Sequence, residues 1–211
     1  MKMIPLGSTD ITLSRMGLGT WAIGGGPAWN GDLDQQICID TILEAHRCGI
    51  NLIDTAPGYN FGNSEVIVGQ ALKKLPREQV VVETKCGIVW ERKGSLFNKV
   101  GDRQLYKNLS PESIREEVEA SLQRLGIDYI DIYMTHWQSV PPFFTPIAET
   151  VAVLNALKKE GKIKSIGAAI RAAAKAADQS VQGYVIQACI ERMKREGQPL
   201  ELNTPDEPPE P

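Results

Sequence analysis

The sequence is poor in cysteine, has no long apolar run and carries almost no net charge. Its four cysteines include no Cys-x-x-Cys pair in a chain of 211 residues, so neither a disulfide framework nor a metal site is expected. No apolar run approaches the roughly 18 residues of a membrane span, and the N-terminus lacks the apolar centre of a signal peptide, which predicts a cytoplasmic protein. A net charge of −3 gives no electrostatic footprint for nucleic acid or an anionic membrane, so neither is an expected partner.

Short β-branched segments alternate with amphipathic helices along most of the chain. One helix is predicted between Ser110, a favourable N-cap, and Gly126, a common helix terminator, with Pro111 at its first position. Asn63 or Ser64 is expected to cap an earlier helix. The opening segment "MIPLGSTDITLS" predicts a hairpin. Five further strands are predicted near residues 16–20, 51–54, 80–85, 129–135 and 163–167.

This alternation indicates βαβ units and a parallel sheet whose strands are buried on both faces. Each strand ends in a polar or small residue: Thr20, Asp54, Lys85, His136 and Gly167. A (β/α)8 barrel gathers its chemistry at that end of its strands, and a doubly wound sheet also binds ligands there. The pattern therefore favours a barrel and leaves the doubly wound sheet open.

Four side chains at this end are candidates for chemistry: Asp54, Tyr59, Lys85 and His136. A phenol is a weak acid, an adjacent ammonium favours its ionised form, and a carboxylate paired with that ammonium holds it in place. An imidazole could orient a carbonyl oxygen by a hydrogen bond. Such a group suits protonation of an oxygen as hydride arrives on carbon. Each residue taken alone also fits a structural role, as a solvated lysine, a turn cap or a packed ring.

Five segments carry a resemblance to a known family in their order and spacing: "GLGTWAIGG", "DTAPGYNFGNSE", "VVVETKCG", "SLQRLGIDYIDIYMTHW" and "ALKKEGKIKSIGAA". Through them, residues 1 to about 169 resemble the aldo-keto reductases. The resemblance implies a (β/α)8 barrel, of which about five βα units are present, and an NADH or NADPH cofactor bound without a Rossmann domain. It also implies reduction of small aldehydes or ketones such as methylglyoxal.

Roles for individual residues come with this resemblance. Tyr59 would be the general acid, Lys85 and Asp54 its tuning pair, and His136 the donor that orients the carbonyl. The cofactor-binding residues would be Gly19, Thr20, Trp21 and Asp54. The substrate-binding residues would be Trp21, Trp90 and Trp137, for which packing inside the barrel is the alternative.

The family pattern stops at Ile170, where family members have an asparagine that hydrogen-bonds the nicotinamide carboxamide. The remaining residues, about 42, are too few for three more βα units of roughly 30 residues each, and they contain no Gly-rich phosphate loop. Residues 170–197 are predicted to be a helical segment, which resembles the helices of ribbon-helix-helix antitoxin-type regulators. Residues 198–211 form an acidic, proline-rich tail that is expected to be disordered.

Two functional hypotheses fit these patterns. In the first, residues 1–169 form a partial aldo-keto reductase barrel that reduces a small carbonyl substrate. In the second, the chain is a non-catalytic truncated or fused protein whose C-terminal helices mediate self-association or bind a partner or DNA. A five-stranded parallel sheet leaves two open edges, so a homo-oligomer formed through those edges or through the C-terminal helices is also expected.

Overall fold

The predicted strands and helices of the first part of the chain are present in a computed structural model, which describes residues 1–168. Ile170, the predicted helical segment 170–197 and the predicted tail 198–211 lie outside the described residues. In chain order the strands are β1 (Met3–Pro5), β2 (Thr12–Ser14), β3 (Gly17–Gly19), β4 (Leu52–Asp54), β5 (Val81–Cys86), β6 (Ile88–Val89), β7 (Ser95–Val100), β8 (Arg103–Lys107), β9 (Ile130–Thr135) and β10 (Ile163–Ala168). The helices are α1 (Gln35–Arg47), α2 (Asn63–Leu72), α3 (Pro111–Leu125) and α4 (Ile147–Lys159), with single 3₁₀ turns at Pro27–Trp29 and Arg77–Gln79.

Strand order decides between the two parallel folds. The main sheet has the order β3-β4-β5-β9-β10, which is also the order of these strands along the chain, and all its pairs are parallel. A doubly wound sheet reverses its order at a switch point, whereas a barrel adds each strand beside the preceding one. The doubly wound alternative is therefore wrong, and residues 1–168 form a partial (β/α)8-type barrel with an N-terminal hairpin, β1–β2.

The core lies on both faces of the main sheet. One cluster holds side chains from all four helices, for example Ile42, Val68, Val118 and Leu157, together with sheet residues. A smaller cluster joins Leu13 of the hairpin to Val81 and Ile132 on the sheet. Burial on both faces explains why the strands are almost continuously apolar. No helix within residues 1–168 is long and apolar enough to cross a bilayer.

The helix ends confirm one predicted cap and correct another. The Ser110 side chain accepts a hydrogen bond from the N–H of Ser113, Pro111 is the first residue of α3, and Gly126 ends that helix in the left-handed conformation. For α2 the capping residue is Gly62, which has no side chain to accept the bond. The prediction that Asn63 or Ser64 caps α2 is wrong, because both side chains bond to earlier parts of the chain instead.

A second, antiparallel sheet was not predicted. Strands β6, β7 and β8 lie between β5 and α3 and pair in the order β6-β8-β7; we call residues 88–107 the insert sheet. Its hairpin turns at Gly101 and Asp102, and Gly101 has a φ of 61°. A two-residue Gly-Asp turn between two short strands is a recognised hairpin signal, so the sequence did contain the information.

Candidate active site

Three neighbouring strands bring the predicted acid–base residues together. Asp54 is the last residue of β4, Lys85 lies near the end of β5, and His136 directly follows β9. These strands are parallel and adjacent, so their carboxyl ends meet at one edge of the sheet. Tyr59 reaches the same point from the loop after β4. The structure thus places all four predicted catalytic residues in one cluster.

The Lys85 ammonium is the centre of this cluster. It forms an ion pair with the Asp54 carboxylate, donates to the backbone oxygen of Thr55 at 2.8 Å, and lies 3.2 Å from the hydroxyl oxygen of Tyr59. Lys85 is 8% exposed, so these contacts replace nearly all of its hydration. A buried ammonium requires such a set of acceptors, because its transfer out of water without partners is very costly.

The charges around Lys85 keep it protonated. Burial, the largest single effect, lowers the pKa of Lys85, but the charges and hydrogen bonds of Asp54 and Tyr59 together outweigh it, and the net shift is upward. Glu83, which pairs with Asp54 in the sheet register, has its pKa raised, first by its own burial and then by the negative charge of Asp54. The site therefore combines one ammonium with a carboxylate that is in direct contact with it.

His136 presents a neutral imidazole to the Tyr59 ring. The two ring centroids are 5.7 Å apart and the rings are nearly perpendicular. Burial, together with the positive charge of Lys85, lowers the pKa of His136 to about 4. Its buried Nδ1 has no hydrogen-bond partner among residues 1–168. The backbone N–H of His136 donates to the Cys86 oxygen at 2.8 Å, which fixes this residue against the end of β5.

Three buried hydroxyl groups, those of Thr20, Thr55 and Ser64, lie next to the acid–base residues. The sequence did not predict this hydroxyl cluster. The Ser64 hydroxyl oxygen lies 2.7 Å from that of Thr20 and 2.9 Å from that of Thr55. Thr20 also donates to the backbone oxygen of Asp54 at 2.9 Å. All three hydroxyl residues are fully buried. Thr20 was expected to bind cofactor, but it does not line the cavity described below, because its hydroxyl is used to join β3, β4 and α2.

A cavity of about 720 Å³ opens in front of Tyr59 and His136. Two of the three predicted substrate-binding tryptophans, Trp21 and Trp137, line it. The indole of Trp21 stacks beside the Tyr59 ring, with centroids 6.2 Å apart, and about half of Trp21 is exposed. The cavity therefore has an aromatic wall directly beside the phenol.

Two other predicted site residues are not brought to this cavity. Trp90 packs edge-on against Phe61, with ring centroids 5.7 Å apart, and Phe61 lines the cavity whereas Trp90 does not. Gly19 is exposed at the end of β3 and is not among the lining residues. The alternative of a packing role therefore describes the contacts of Trp90 within residues 1–168.

The insert sheet supplies a wall of the cavity that was absent from the sequence interpretation. Phe97 lines the cavity and contacts Trp137, with ring centroids 5.4 Å apart. The other lining residues of this sheet are Ile88, Asn98, Lys99, Val100, Gly101 and Leu105. The cavity thus lies between the carboxyl ends of the parallel strands and an antiparallel sheet.

Comparison with known proteins agrees with this fold. The model of the aldo/keto reductase family matches residues 15–188, which is most of the chain. The chain belongs to the aldo/keto reductase family. The resemblance stated from the sequence motifs is thereby confirmed, and so is the partial barrel, since aldo-keto reductases of known structure match it.

Two relatives and two solved structures illustrate the similarity. The NADH-specific methylglyoxal reductase of Escherichia coli (strain K12) is 95% identical over 169 residues, covering 80% of this chain and 52% of that protein. The aldo-keto reductase YhdN of Bacillus subtilis (strain 168) is 45% identical over 168 residues, covering 79% and 46%. The structure of a glycerol dehydrogenase from Gluconobacter oxydans matches with a TM-score of 0.65 at 39% identity, covering 79% and 47%. An aldo-keto reductase from Bacillus halodurans in its holo form matches with a TM-score of 0.66 at 33% identity, covering 80% and 50%. The chain therefore spans about half the length of the relatives it matches.

Proposed function

We propose that this chain reduces small aldehydes or ketones with a nicotinamide cofactor, using Tyr59 as the general acid. One observation carries the proposal: the Lys85 ammonium contacts both the Asp54 carboxylate and the hydroxyl of Tyr59, and Tyr59 lines a cavity. This arrangement links a proton donor to a fixed positive charge, which stabilises the phenolate that remains after the proton leaves.

The cavity fits the reacting end of a nicotinamide beside a small carbonyl compound. The half-exposed face of Trp21 beside Tyr59 offers a surface for a flat ring. A volume of about 720 Å³ is sufficient for a ring and a small substrate together. When bound, the nicotinamide supplies a hydride, and with it both electrons, to the carbonyl carbon.

The chain's own residues would donate the proton to the carbonyl oxygen and recover it from solvent. Tyr59 would donate its proton to the carbonyl oxygen and later regain one from solvent. Neutral His136 would donate a hydrogen bond to the same oxygen and so align the carbonyl. Lys85, held by Asp54 and by the Thr55 carbonyl, would keep its positive charge beside Tyr59 in both states.

We propose NADH as the cofactor and methylglyoxal as one substrate. The support is the name of the Escherichia coli relative, an NADH-specific methylglyoxal reductase that is 95% identical over 169 residues. Among the solved relatives, an aldo-keto reductase from Klebsiella pneumoniae was crystallised with NADPH, so both cofactors belong in the experiment.

Turnover of methylglyoxal with NADH or NADPH, followed by absorbance of the nicotinamide, tests this proposal. We expect Tyr59→Phe to lower turnover by about 100- to 10,000-fold, as loss of a general acid does. Tyr129→Phe is the matched control, because Tyr129 lies outside the cavity and contacts Arg77 and Lys164 instead. A full-length chain without turnover, or a Tyr59→Phe variant as active as the control, would contradict the proposal.

A second candidate function is self-association. Strands β3 and β10 are the edges of the main sheet in the described part of the chain, and edge strands present unpaired backbone groups to other chains. We propose a homo-oligomer on this ground, independently of whether the chain is active.

A further inference from the structure

The insert sheet is positively charged in a chain whose net charge is negative. The chain as a whole carries −3. Residues 88–107 contain two acidic residues, Glu91 and Asp102, and five basic ones, listed in chain order as Arg92, Lys93, Lys99, Arg103 and Lys107. This local excess of positive charge belongs to the sheet that supplies a wall of the cavity, and it produces a field that attracts anions.

One of these cations lines the cavity, and two more lie against aromatic rings that line it. Lys99 lines it directly. The Lys107 ammonium lies over two rings of the cavity wall, 4.9 Å from the centroid of Trp137 and 5.3 Å from that of Phe97. The Arg103 guanidinium lies 3.6 Å from the centroid of Phe61, another lining ring. Cation–ring contacts of this kind hold a charge in position without neutralising it.

These three cations have no carboxylate partner within residues 1–168. The ion pairs of the described chain involve Arg92, which pairs with Glu116, but none of Lys99, Arg103 or Lys107. Lys107 is half-buried, so the lack of a partner is more costly there than on the open surface. The cavity lining in the described residues also contains no aspartate or glutamate.

We infer that the cavity binds carbonyl substrates that carry an anionic group, a carboxylate or a phosphate, away from the reacting carbonyl. The carbonyl meets Tyr59 and His136, the body of the substrate contacts the aromatic wall, and the anion meets Lys99 of the insert sheet, where Lys107 adds positive charge from its position against Phe97 and Trp137. This inference rests on the proposed function, because it names the substrate class of the same site. Methylglyoxal, which has no charge, would leave these lysines unused.

Three para-substituted benzaldehydes of similar size test the inference: 4-carboxybenzaldehyde, 4-formylphenyl phosphate and the neutral 4-methylbenzaldehyde. Their binding to the full chain is measured by calorimetry without cofactor, at low ionic strength. We expect the anionic probes to bind about fivefold more tightly than the neutral one, as an ion pair near the surface allows. Which of 4-carboxybenzaldehyde and 4-formylphenyl phosphate binds more tightly shows whether the site prefers a carboxylate or a phosphate.

Lysine variants assign the preference to the cavity. Lys99→Met and Lys107→Met should each reduce the preference for the anionic probes, and the double variant should abolish it. Lys93→Met removes an exposed charge of the same sheet outside the cavity and should leave the preference unchanged. Because salt screens exposed charges, about 0.5 M NaCl should also weaken it. Equal affinities for the three probes, or a preference that survives the double variant, would overturn the inference. If the preference holds but no probe is reduced with NADH or NADPH, the proposed function fails and the anion site stands.

Discussion

The Ser64 hydroxyl lies where β3 and β4 end and where α2 begins. It joins Thr20 to Thr55, and the Thr55 carbonyl in turn accepts a hydrogen bond from the Lys85 ammonium. A single buried hydroxyl thus connects the backbone of two strands to the charged centre of the site. Its removal would leave buried polar groups without partners, which costs more than the hydrogen bond itself contributes.

We therefore expect Ser64→Ala to lower the free energy of unfolding by about 1–3 kcal/mol. Urea unfolding followed by circular dichroism measures this change. Ser8→Ala is the control, because Ser8 is exposed in the turn of the N-terminal hairpin, and its effect should stay within about 0.5 kcal/mol. Equal stabilities of the two variants would show that the hydroxyl cluster contributes nothing.

The neutral state of His136 gives a second prediction at this scale. Because burial and Lys85 lower its pKa to about 4, the imidazole should not titrate between pH 5.5 and 8. The chain has two histidines, so His46→Gln leaves a single imidazole signal in a proton NMR titration. A midpoint near the unperturbed value of about 6.5 would contradict the buried, neutral His136.

Individual site residues differed in how far the sequence predicted their position. Asp54, Lys85 and His136 could be grouped because each ends a strand and the carboxyl ends of parallel strands meet. The positions of Thr20 and Trp90 could not be predicted in this way. They depend on which way a side chain turns, inward to Ser64 or outward to Phe61, and that choice is set by neighbours distant in sequence.

At the scale of elements, Glu117 fastens α3 to the end of β5. Its carboxyl group accepts hydrogen bonds from the N–H of Gly87, at 2.8 Å, and from the Ser113 hydroxyl, at 3.0 Å. Gly87 has a φ of 96° and joins β5 to the insert sheet. Glu117 thus holds the point at which the chain leaves the barrel strand that carries Lys85.

Burial raises the pKa of Glu117 from its ordinary value near 4.5 to about 8. Between these values the folded chain keeps a proton that the unfolded chain has lost, so the free energy of unfolding should fall as pH rises through this window. Glu117→Gln keeps the acceptor oxygen without the ionisable proton. Between pH 5 and pH 8 the Tm of the wild type should therefore fall by roughly 7–14 °C more than that of the variant.

Thermal unfolding at the two pH values measures this difference. Glu91→Gln, a change at an exposed carboxyl in the insert sheet, is the control and should follow the wild type. Parallel pH curves for wild type and Glu117→Gln would contradict the role of the buried proton.

Elements with strong end signals were the ones that the sequence predicted well. Ser110, Pro111 and Gly126 marked α3 correctly because each acts through local backbone chemistry. The insert sheet was missed although Gly101 and Asp102 form a two-residue hairpin turn. The alternation of strands and helices predicts only parallel strands, because a short antiparallel insertion between two βα units does not change that alternation.

At the scale of the whole molecule, the partial barrel predicts association. The main sheet has β3 and β10 at its edges in the described part of the chain, and the match spans about half the length of two relatives of known structure. We expect the mass measured by light scattering to exceed that of one chain and to rise with protein concentration, because paired edges satisfy backbone hydrogen bonds. The mass of a single chain at every concentration would contradict this prediction.

The monotonic strand order also has a consequence for biosynthesis. Each strand of the main sheet after β3 pairs with a strand that precedes it in the chain, so its partner has already been synthesised when it emerges. Asp54, Tyr59, Lys85 and His136 are all translated before α4 and β10. Because domains begin to fold from the N-terminus during synthesis, the acid–base cluster can assemble on the ribosome while the rest of the polypeptide is still being made.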